Sequence, residues 1–155
     1  MSLEDLLAGR SAALFHDVVS PRAFDSYTRY REIDRGSYDV SYEDVPDLVA
    51  RARDLARPHV FESARIVRLR PGDYILARAD EPRRGTEVVF DLSPGTRPDG
   101  DLQYRQHGQV VFRVPCEPGC AAVVPRTQSI SCNHQYLSKL HTGDIVRWIG
   151  WFVAR

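Results

Sequence analysis

The chain has 155 residues and a mass of 17.6 kDa, the size of one domain with a buried core. Its 21 basic and 21 acidic residues give a formal net charge of zero, which argues against a general binder of nucleic acid or of anionic membranes. The acidic N-terminal segment is unlike a signal peptide, no stretch approaches a membrane-spanning length, and three cysteines are too few for a disulfide framework, so we expect a cytoplasmic protein.

The first 62 residues are predicted to form a helical support for the rest of a single domain (1–155). Helices are expected at residues 3–7, at 23–33, and at 46–56, where a proline opens a run of leucine, valine and alanine at helical spacing. The acidic, tyrosine-rich piece at 36–45 is predicted to be a loop.

Residues 63–155 have the alternating pattern and the turn residues of short β-strands. Strands are expected within residues 64–77, 85–95, 99–106, 108–115, 120–125, 127–137 and 143–155. Leading helices followed by short strands with regular turns predict a mainly β protein with N-terminal helices, built around a jelly roll.

Several short motifs in the strand half follow one another in a fixed order. They are Arg70-Pro71-Gly72-Asp73, residues 88–92, residues 99–102, Pro118-Gly119 followed by 121–125, His134, Gly143, and Gly150-Trp151-Phe152. This order resembles that of the 2-oxoglutarate- and Fe(II)-dependent dioxygenases, nearest their prolyl-hydroxylase-like branch. The resemblance covers about residues 63–155 and implies a double-stranded β-helix, a cupin-like jelly roll.

The resemblance also implies a degenerate metal site. In this family a histidine and an aspartate two residues apart hold iron together with a distal histidine. Here Arg78 takes the place of the first histidine, Asp80 that of the aspartate, and His134 that of the distal histidine. A guanidinium stays protonated and has no free lone pair for iron. No metal is therefore expected, and Asp80 and His134 are the expected ligands if one is bound.

The positions that the resemblance gives to the cosubstrate are altered too. Aligning the last strand on its two glycines puts Ile145 where the family has its 2-oxoglutarate-binding arginine. Arg147 follows two residues later on the same strand face, and a slipped register would return it to that role. Leu69 replaces a tyrosine that often precedes the Arg-Pro-Gly-Asp turn. No 2-oxoglutarate is expected.

The remaining groups suit acid–base chemistry. Arg78 and Asp80 are two apart on a predicted strand, so both are expected to point into the barrel and face His134. A histidine titrates near neutrality, and an arginine–carboxylate pair can orient it. We predict a metal-independent tailoring enzyme of small-molecule biosynthesis, such as a cyclase, isomerase or epimerase. Its predicted catalytic residues are Arg78, Asp80 and His134, and its predicted substrate-binding residues are Arg147, Tyr74 and Cys132.

Other interpretations stay open. The chain is alternatively an active Fe(II)/2-oxoglutarate-dependent hydroxylase with a non-standard metal site, a fold whose old pocket is closed by a structural ion-pair network, or a non-catalytic binding or partner subunit. A homodimer is left open. Cys116 and Cys120 flank a turn and are expected either to form a disulfide, to bind a metal weakly or to remain free thiols.

Overall fold

Antiparallel strands are the main secondary structure of the protein in a computed structural model, which describes residues 12–154. The strands are β1 (Ala13–Phe15), β2 (Thr28–Glu32), β3 (Gly36–Ser41), β4 (Val60–Leu69), β5 (Tyr74–Ile75), β6 (Gly85–Asp91), β7 (Arg97–Gln106), β8 (Gln109–Cys116), β9 (Ala121–Arg126), β10 (Ile130–His134) and β11 (Ile145–Val153). One α-helix, α1 (Pro46–Ala56), lies within the described residues, as predicted. None of their helices is long and apolar enough to cross a membrane.

The strands follow one hydrogen-bonded path, β1-β9-β6-β11-β4-β3-β5-β10-β7-β8, with β2 paired to β3. Strands β9, β6, β11 and β4 form one half of this path, and β5, β10, β7 and β8 form the other. Strand β3 joins the halves because it pairs with both β4 and β5. Chain neighbours such as β4 and β5 thus lie in opposite halves, which is the strand order of a jelly roll. The predicted mainly β, jelly-roll-like sheet is confirmed. The predicted helical support over residues 1–62 is not, because α1 is the one α-helix among residues 12–154 and β1, β2 and β3 of the sheet lie before residue 62.

Alternation along the strands fills the space between the two halves. Val89 and Val124 from the first half pack with Leu102 and Val114 from the second. Intervening residues of the first half point to the opposite face, because successive side chains of a strand alternate. That outer face carries Phe90 and is covered by α1.

The prediction of a helix at residues 23–33 is wrong, and so is that of a loop at 36–41. These residues form the hairpin β2–β3, in which Tyr30 pairs with Tyr38 and their ring centroids lie 5.1 Å apart. Aromatic cross-strand pairs stabilise a hairpin and override a weak helical pattern. Gly36 lets the hairpin approach β5, since a Cβ there would lie 2.9 Å from the carbonyl oxygen of Tyr74. The helix predicted at 3–7 lies outside the described residues.

Candidate functional site

The Arg-Pro-Gly-Asp turn has a structural role that depends on Asp73. Its carboxylate is buried and accepts two hydrogen bonds from the guanidinium of Arg29, one from the hydroxyl of Ser37 at 3.3 Å and one from the backbone N–H of Arg70 at 2.8 Å. Arg29 lies on β2, so the turn fastens the hairpin to the barrel. No side of this carboxylate is left for a ligand.

Asp39 extends this arrangement. It accepts hydrogen bonds from Arg29 at 3.2 Å and from Arg68 at 2.8 Å. Burial alone would raise the pKa of Asp39, but the hydrogen bonds from Arg68 and Arg29 outweigh it and lower that pKa. We call Asp39, Asp73, Arg29 and Arg68 the hairpin cluster.

A cavity of about 260 Å³ opens between the two halves beyond the end of β5. Its polar lining consists of Tyr38, Arg65, Asp80, Glu81, Arg83, Glu87, Cys132 and Asn133. Its apolar wall includes Ile75, Leu102 and Ile149. Interior positions of β4, β6, β10 and β11 thus converge on it with the segment that follows β5.

Asp80 enters this cavity from the end of a short 3-10 turn, Ala77–Ala79. Its Oδ2 accepts a hydrogen bond from the guanidinium of Arg126 and another from the backbone N–H of Cys132 at 3.0 Å. Among residues 12–154, its Oδ1 has only a long ion pair with Arg83, at 3.6 Å. One oxygen of Asp80 is therefore fixed by the protein, and the other keeps its lone pairs for a bound molecule.

Glu87 stands beside Asp80 and is held more completely. The hydroxyl of Tyr104 donates to Glu87 Oε2 at 2.5 Å, and Arg126 donates to Oε1 at 3.4 Å. Burial raises the pKa of Tyr104, and the Glu87 carboxylate raises it further, so the phenol remains a donor. The Arg126 side chain is fully buried between the two carboxylates. We call Asp80, Glu87, Arg83, Arg126 and Tyr104 the cavity cluster.

Cys132 lies in the cavity, where the sequence predicted a substrate contact. Burial raises the pKa of its thiol, and the neighbouring carboxylate Glu87 adds to that effect. A protonated thiol is a poor nucleophile, so this side chain contributes shape rather than covalent chemistry.

Arg78 is not in the cavity. The prediction that residues 78 and 80 share the inner face of a strand is wrong, because β5 ends at Ile75 and Arg78 lies in the 3-10 turn with its side chain exposed. The partner expected for Asp80 is instead Arg126, which reaches it from β9.

His134 is also separate from Asp80. Its ring is buried, its Nδ1 lies 2.8 Å from the carbonyl oxygen of Gln135, and it is absent from the cavity lining. Burial, and after it the charge of Arg147, lower the pKa of His134 to about 3, so the imidazole is neutral at physiological pH. The structure therefore does not assemble the predicted trio of Arg78, Asp80 and His134.

Tyr74 and Arg147 lie outside the cavity as well. The hydroxyl of Tyr74 donates to the carbonyl oxygen of Ile33 at 2.7 Å, and its ring lines a shallow outer groove. Arg147 is buried between the halves, donating to the carbonyl oxygens of Gly100 at 2.5 Å and Val114 at 3.3 Å. Ile145 shares its inward face and is fully buried in an apolar cluster. Neither alignment of the last strand thus brings an arginine into the cavity.

The two cysteines left open by the sequence are free thiols. Cys116 and Cys120 are buried, and each points to a backbone carbonyl oxygen, that of Gly95 at 3.4 Å and that of Pro115 at 3.9 Å.

Sequence reasoning missed most of the cavity cluster, although a signal existed. Along β9, Ala122, Val124 and Arg126 alternate onto the inner face, so the pattern ends on an inward arginine. Glu87 likewise shares the inner face of β6 with Val89. A charged residue that continues an inward apolar alternation needs a buried partner of opposite sign.

An iron site of the type held by two histidines and a carboxylate does not fit these residues. No histidine of the described residues lines the cavity, and Asp80 Oδ2 already accepts hydrogen bonds from Arg126 and from the backbone N–H of Cys132. Among residues 12–154, no three His, Cys, Asp or Glu side chains come together in a way that could hold a metal ion. A cation would also have to compete with two guanidinium groups for Asp80.

Comparison with solved structures identifies the fold. A prolyl-4-hydroxylase from Pseudomonas putida superposes with a TM-score of 0.65 at 17% identity, covering 99% of this chain and 97% of that one. A Trichoplax adhaerens prolyl hydroxylase, solved with a hypoxia inducible factor peptide fragment, gives 0.62 at 9% identity over 97% and 87% of the two chains. A collagen prolyl hydroxylase from Paramecium Bursaria Chlorella virus-1 gives 0.60 at 8% over 96% and 99%.

These similarities establish a 2-oxoglutarate-dioxygenase-like fold for the chain. No protein-family model matches the sequence, and the search of curated proteins found no significant match. The resemblance read from the motifs is thus supported by the path of the backbone, and the chemistry has to be argued from the cavity itself.

Proposed function

We propose that this chain is a small-molecule enzyme that uses the prolyl-hydroxylase fold for proton transfer without iron. The observation that supports the proposal is the state of Asp80. Arg126 and a backbone N–H fix its Oδ2, while its Oδ1 faces the cavity with no hydrogen bond from the described residues. A carboxylate fixed at one oxygen and open at the other is suited to accept a proton from a bound molecule.

Each neighbour has a role in this proposal. Arg126 and Tyr104 hold Glu87 in place, and Arg126 forms ion pairs with both carboxylates. The fixed cluster pre-orients Asp80, so little reorganisation accompanies proton transfer. Asp80 with Arg126 replaces the trio predicted from the sequence, and the reaction class remains that of a cyclase, isomerase or epimerase acting on a small molecule.

Proton transfer can be tested before the substrate is known. The protein is incubated in D₂O with a mixture of small keto, hydroxy and amino acids, and deuterium incorporation is followed by mass spectrometry. We expect the protein to catalyse exchange at one carbon of a bound compound, and Asp80→Asn to abolish it. Asp101→Asn is the matched control, because Asp101 lies on β7 outside the cavity and has only a 3.7 Å ion pair with Arg113. Exchange that survives Asp80→Asn, or no exchange of any compound, contradicts the proposal.

The absence of an iron requirement has its own test. Fe(II) or Mn(II) is titrated anaerobically into the protein by calorimetry, with and without 2-oxoglutarate. We expect no stoichiometric binding of the metal and no turnover of 2-oxoglutarate. The reason is that the guanidinium of Arg126 is hydrogen-bonded to Asp80, and no histidine of the described residues lines the cavity. Tight one-to-one binding with turnover would establish the hydroxylase alternative in place of ours.

A further inference from the structure

A second, shallower depression adjoins the cavity. It has a volume of about 230 Å³ and shares Arg65, Arg83, Glu87 and Ile149 with the cavity lining. Two depressions with four lining residues in common are lobes of one groove. Arg65 and Arg83 therefore stand where the deep lobe, which contains Asp80, meets the shallow one.

Arg65 differs from the arginines of the two clusters. It is half-buried on β4 and lines both lobes, yet its guanidinium makes no hydrogen bond or ion pair with residues 12–154. Arg29, Arg68 and Arg126 each pair with a carboxylate. A guanidinium carries five N–H donors in a planar fork. Those of Arg65 are available to a molecule in the groove.

Arg83 is positioned by stacking more than by hydrogen bonds. Its guanidinium lies over the ring of Trp151, 4.6 Å from the centroid. Its ion pairs with Asp80 at 3.6 Å and Glu87 at 3.9 Å are too long for hydrogen bonds, and its Nε is buried without a partner among the described residues. The aromatic ring thus holds a cation in place while leaving its donors largely unused.

We propose that Arg65 and Arg83 bind the carboxylate of a small monocarboxylic acid whose apolar part lies in the deep lobe, against Ile75, Leu102 and Ile149. Planar guanidinium forks match the geometry of a carboxylate. Arg83 lies 3.6 Å from the open oxygen of Asp80, so a carboxylate on Arg83 brings its neighbouring carbon to Asp80. This inference rests on the proposed function, because it names the substrate class of the same site.

The charge of the groove favours a monoanion over a phosphate. The cationic groups Arg65, Arg83 and Arg126 are balanced by Asp80, Glu81 and Glu87 around the deep lobe. A dianion would add a second negative charge beside three carboxylates, and the lining formed by the described residues offers no further cation to meet it. A single carboxylate needs only the unused donors of the two arginines.

The test uses 3-phenylpropanoate, its primary amide and the phosphonate of the same carbon skeleton as probes, titrated into the full chain and followed by NMR. We expect the carboxylate to bind, and the amide and the phosphonate each to bind at least about tenfold more weakly. Arg65→Met and Arg83→Met should each weaken binding of the carboxylate about tenfold. Arg113→Met is the control, since this exposed arginine of β8 lies outside the groove.

Equal binding of the acid and its amide, or tighter binding of the phosphonate, would overturn the inference. Unchanged affinity in Arg65→Met would overturn it too. So would a lack of binding of every probe at 10 mM, which is about 10⁴ times a typical micromolar Kd. Thermal unfolding of each variant shows that it is folded, and Arg65 has no partner whose loss would destabilise the chain. Arginine-dependent carboxylate binding without deuterium exchange would contradict the proposed function alone. Exchange that is unchanged in both Arg65→Met and Arg83→Met would contradict this inference alone.

Discussion

Asp73 and Asp80 lie seven residues apart in one segment of the chain, yet they belong to two different charge clusters. Asp73 belongs to the hairpin cluster, where every side of its carboxylate has a donor from the protein. Asp80 belongs to the cavity cluster, where one oxygen is held and the other has, within the described part of the chain, only a 3.6 Å ion pair. Both are largely buried, so burial alone does not separate their roles.

The difference shows how to distinguish a structural carboxylate from a functional one. A buried charge whose hydrogen bonds are all made by its own chain stabilises the fold, because the desolvation cost is offset locally. A charge with an unused oxygen next to a cavity retains capacity for a ligand. The two clusters therefore differ in how many hydrogen bonds the chain itself gives to a carboxylate, and not in whether that carboxylate has an ion pair.

The largest expected effect comes from Arg126→Gln, which breaks the cavity cluster at its centre. The change leaves two buried carboxylates side by side without their shared cation, and we expect it to lower the free energy of unfolding by about 3–5 kcal/mol. Urea denaturation measures the loss. Adding Glu87→Gln should restore part of it, since one of the two like charges is then gone. A double variant no more stable than Arg126→Gln would show that the carboxylates do not repel each other.

Asp73→Asn breaks the hairpin cluster and should cost less, about 2–3 kcal/mol in the free energy of unfolding. The carboxylate loses its charge-assisted bonds to Arg29, but that guanidinium is 36% exposed, so water compensates part of the loss. Urea denaturation again gives the value. The folded variant should bind cavity probes as the unchanged protein does. Weakened probe binding would mean that the two clusters are not independent.

Tyr104→Phe sharpens the comparison by removing one donor from Glu87. We expect a loss of about 1.5–2 kcal/mol in the free energy of unfolding, the lower part of the range for a hydrogen bond to a charged group. Tyr42→Phe is the control, because Tyr42 is 74% exposed, and it should change stability by less than about 0.5 kcal/mol. Equal effects of the two changes would mean that the 2.5 Å contact between Tyr104 and Glu87 contributes nothing.

His134 shows how burial outside both clusters makes the stability of the fold depend on pH. Its effect on the free energy of unfolding is small for each pH unit. Its pKa is lowered from 6.5 to about 3 in the folded chain. Between these values the unfolded chain binds the extra proton and the folded chain does not, so stability falls as the pH drops through this window, by up to about 1.4 kcal/mol per pH unit. Urea denaturation at pH 7 and pH 5 should show this slope, reduced in His134→Gln. The exposed control His141→Gln should keep it.

Much of the fold could be predicted because its signals are local. The helix at 46–56 is marked by its proline and its apolar spacing, and the strands after residue 63 by alternation and turns. The hairpin β2–β3 could not be predicted in this way. Its strands are held by the pairing of Tyr30 with Tyr38 and by the hydrogen bonds from Arg29 to Asp73, and these are contacts between separate segments. Propensity is a weak guide where such contacts decide.

The candidate site was predicted in part. Asp80 and Cys132 lie in the cavity as expected, whereas Arg78 is exposed and His134, Arg147 and Tyr74 lie elsewhere. The error at Arg78 comes from extending β5 by a few residues, since a 3-10 turn at 77–79 changes the direction of every side chain that follows the strand.

By itself the sequence determined the order of the strands along the chain and the turn at Asp73. It also determined that an aspartate, Asp80, stands at the position where related proteins have a metal ligand. Which arginine meets that aspartate was decided by the tertiary structure. Arg126 is 46 residues from Asp80, and they meet only because β9 and the segment after β5 are brought to one end of the jelly roll. Local alternation tells which way a side chain points, but its partner depends on strand pairing that no short pattern encodes.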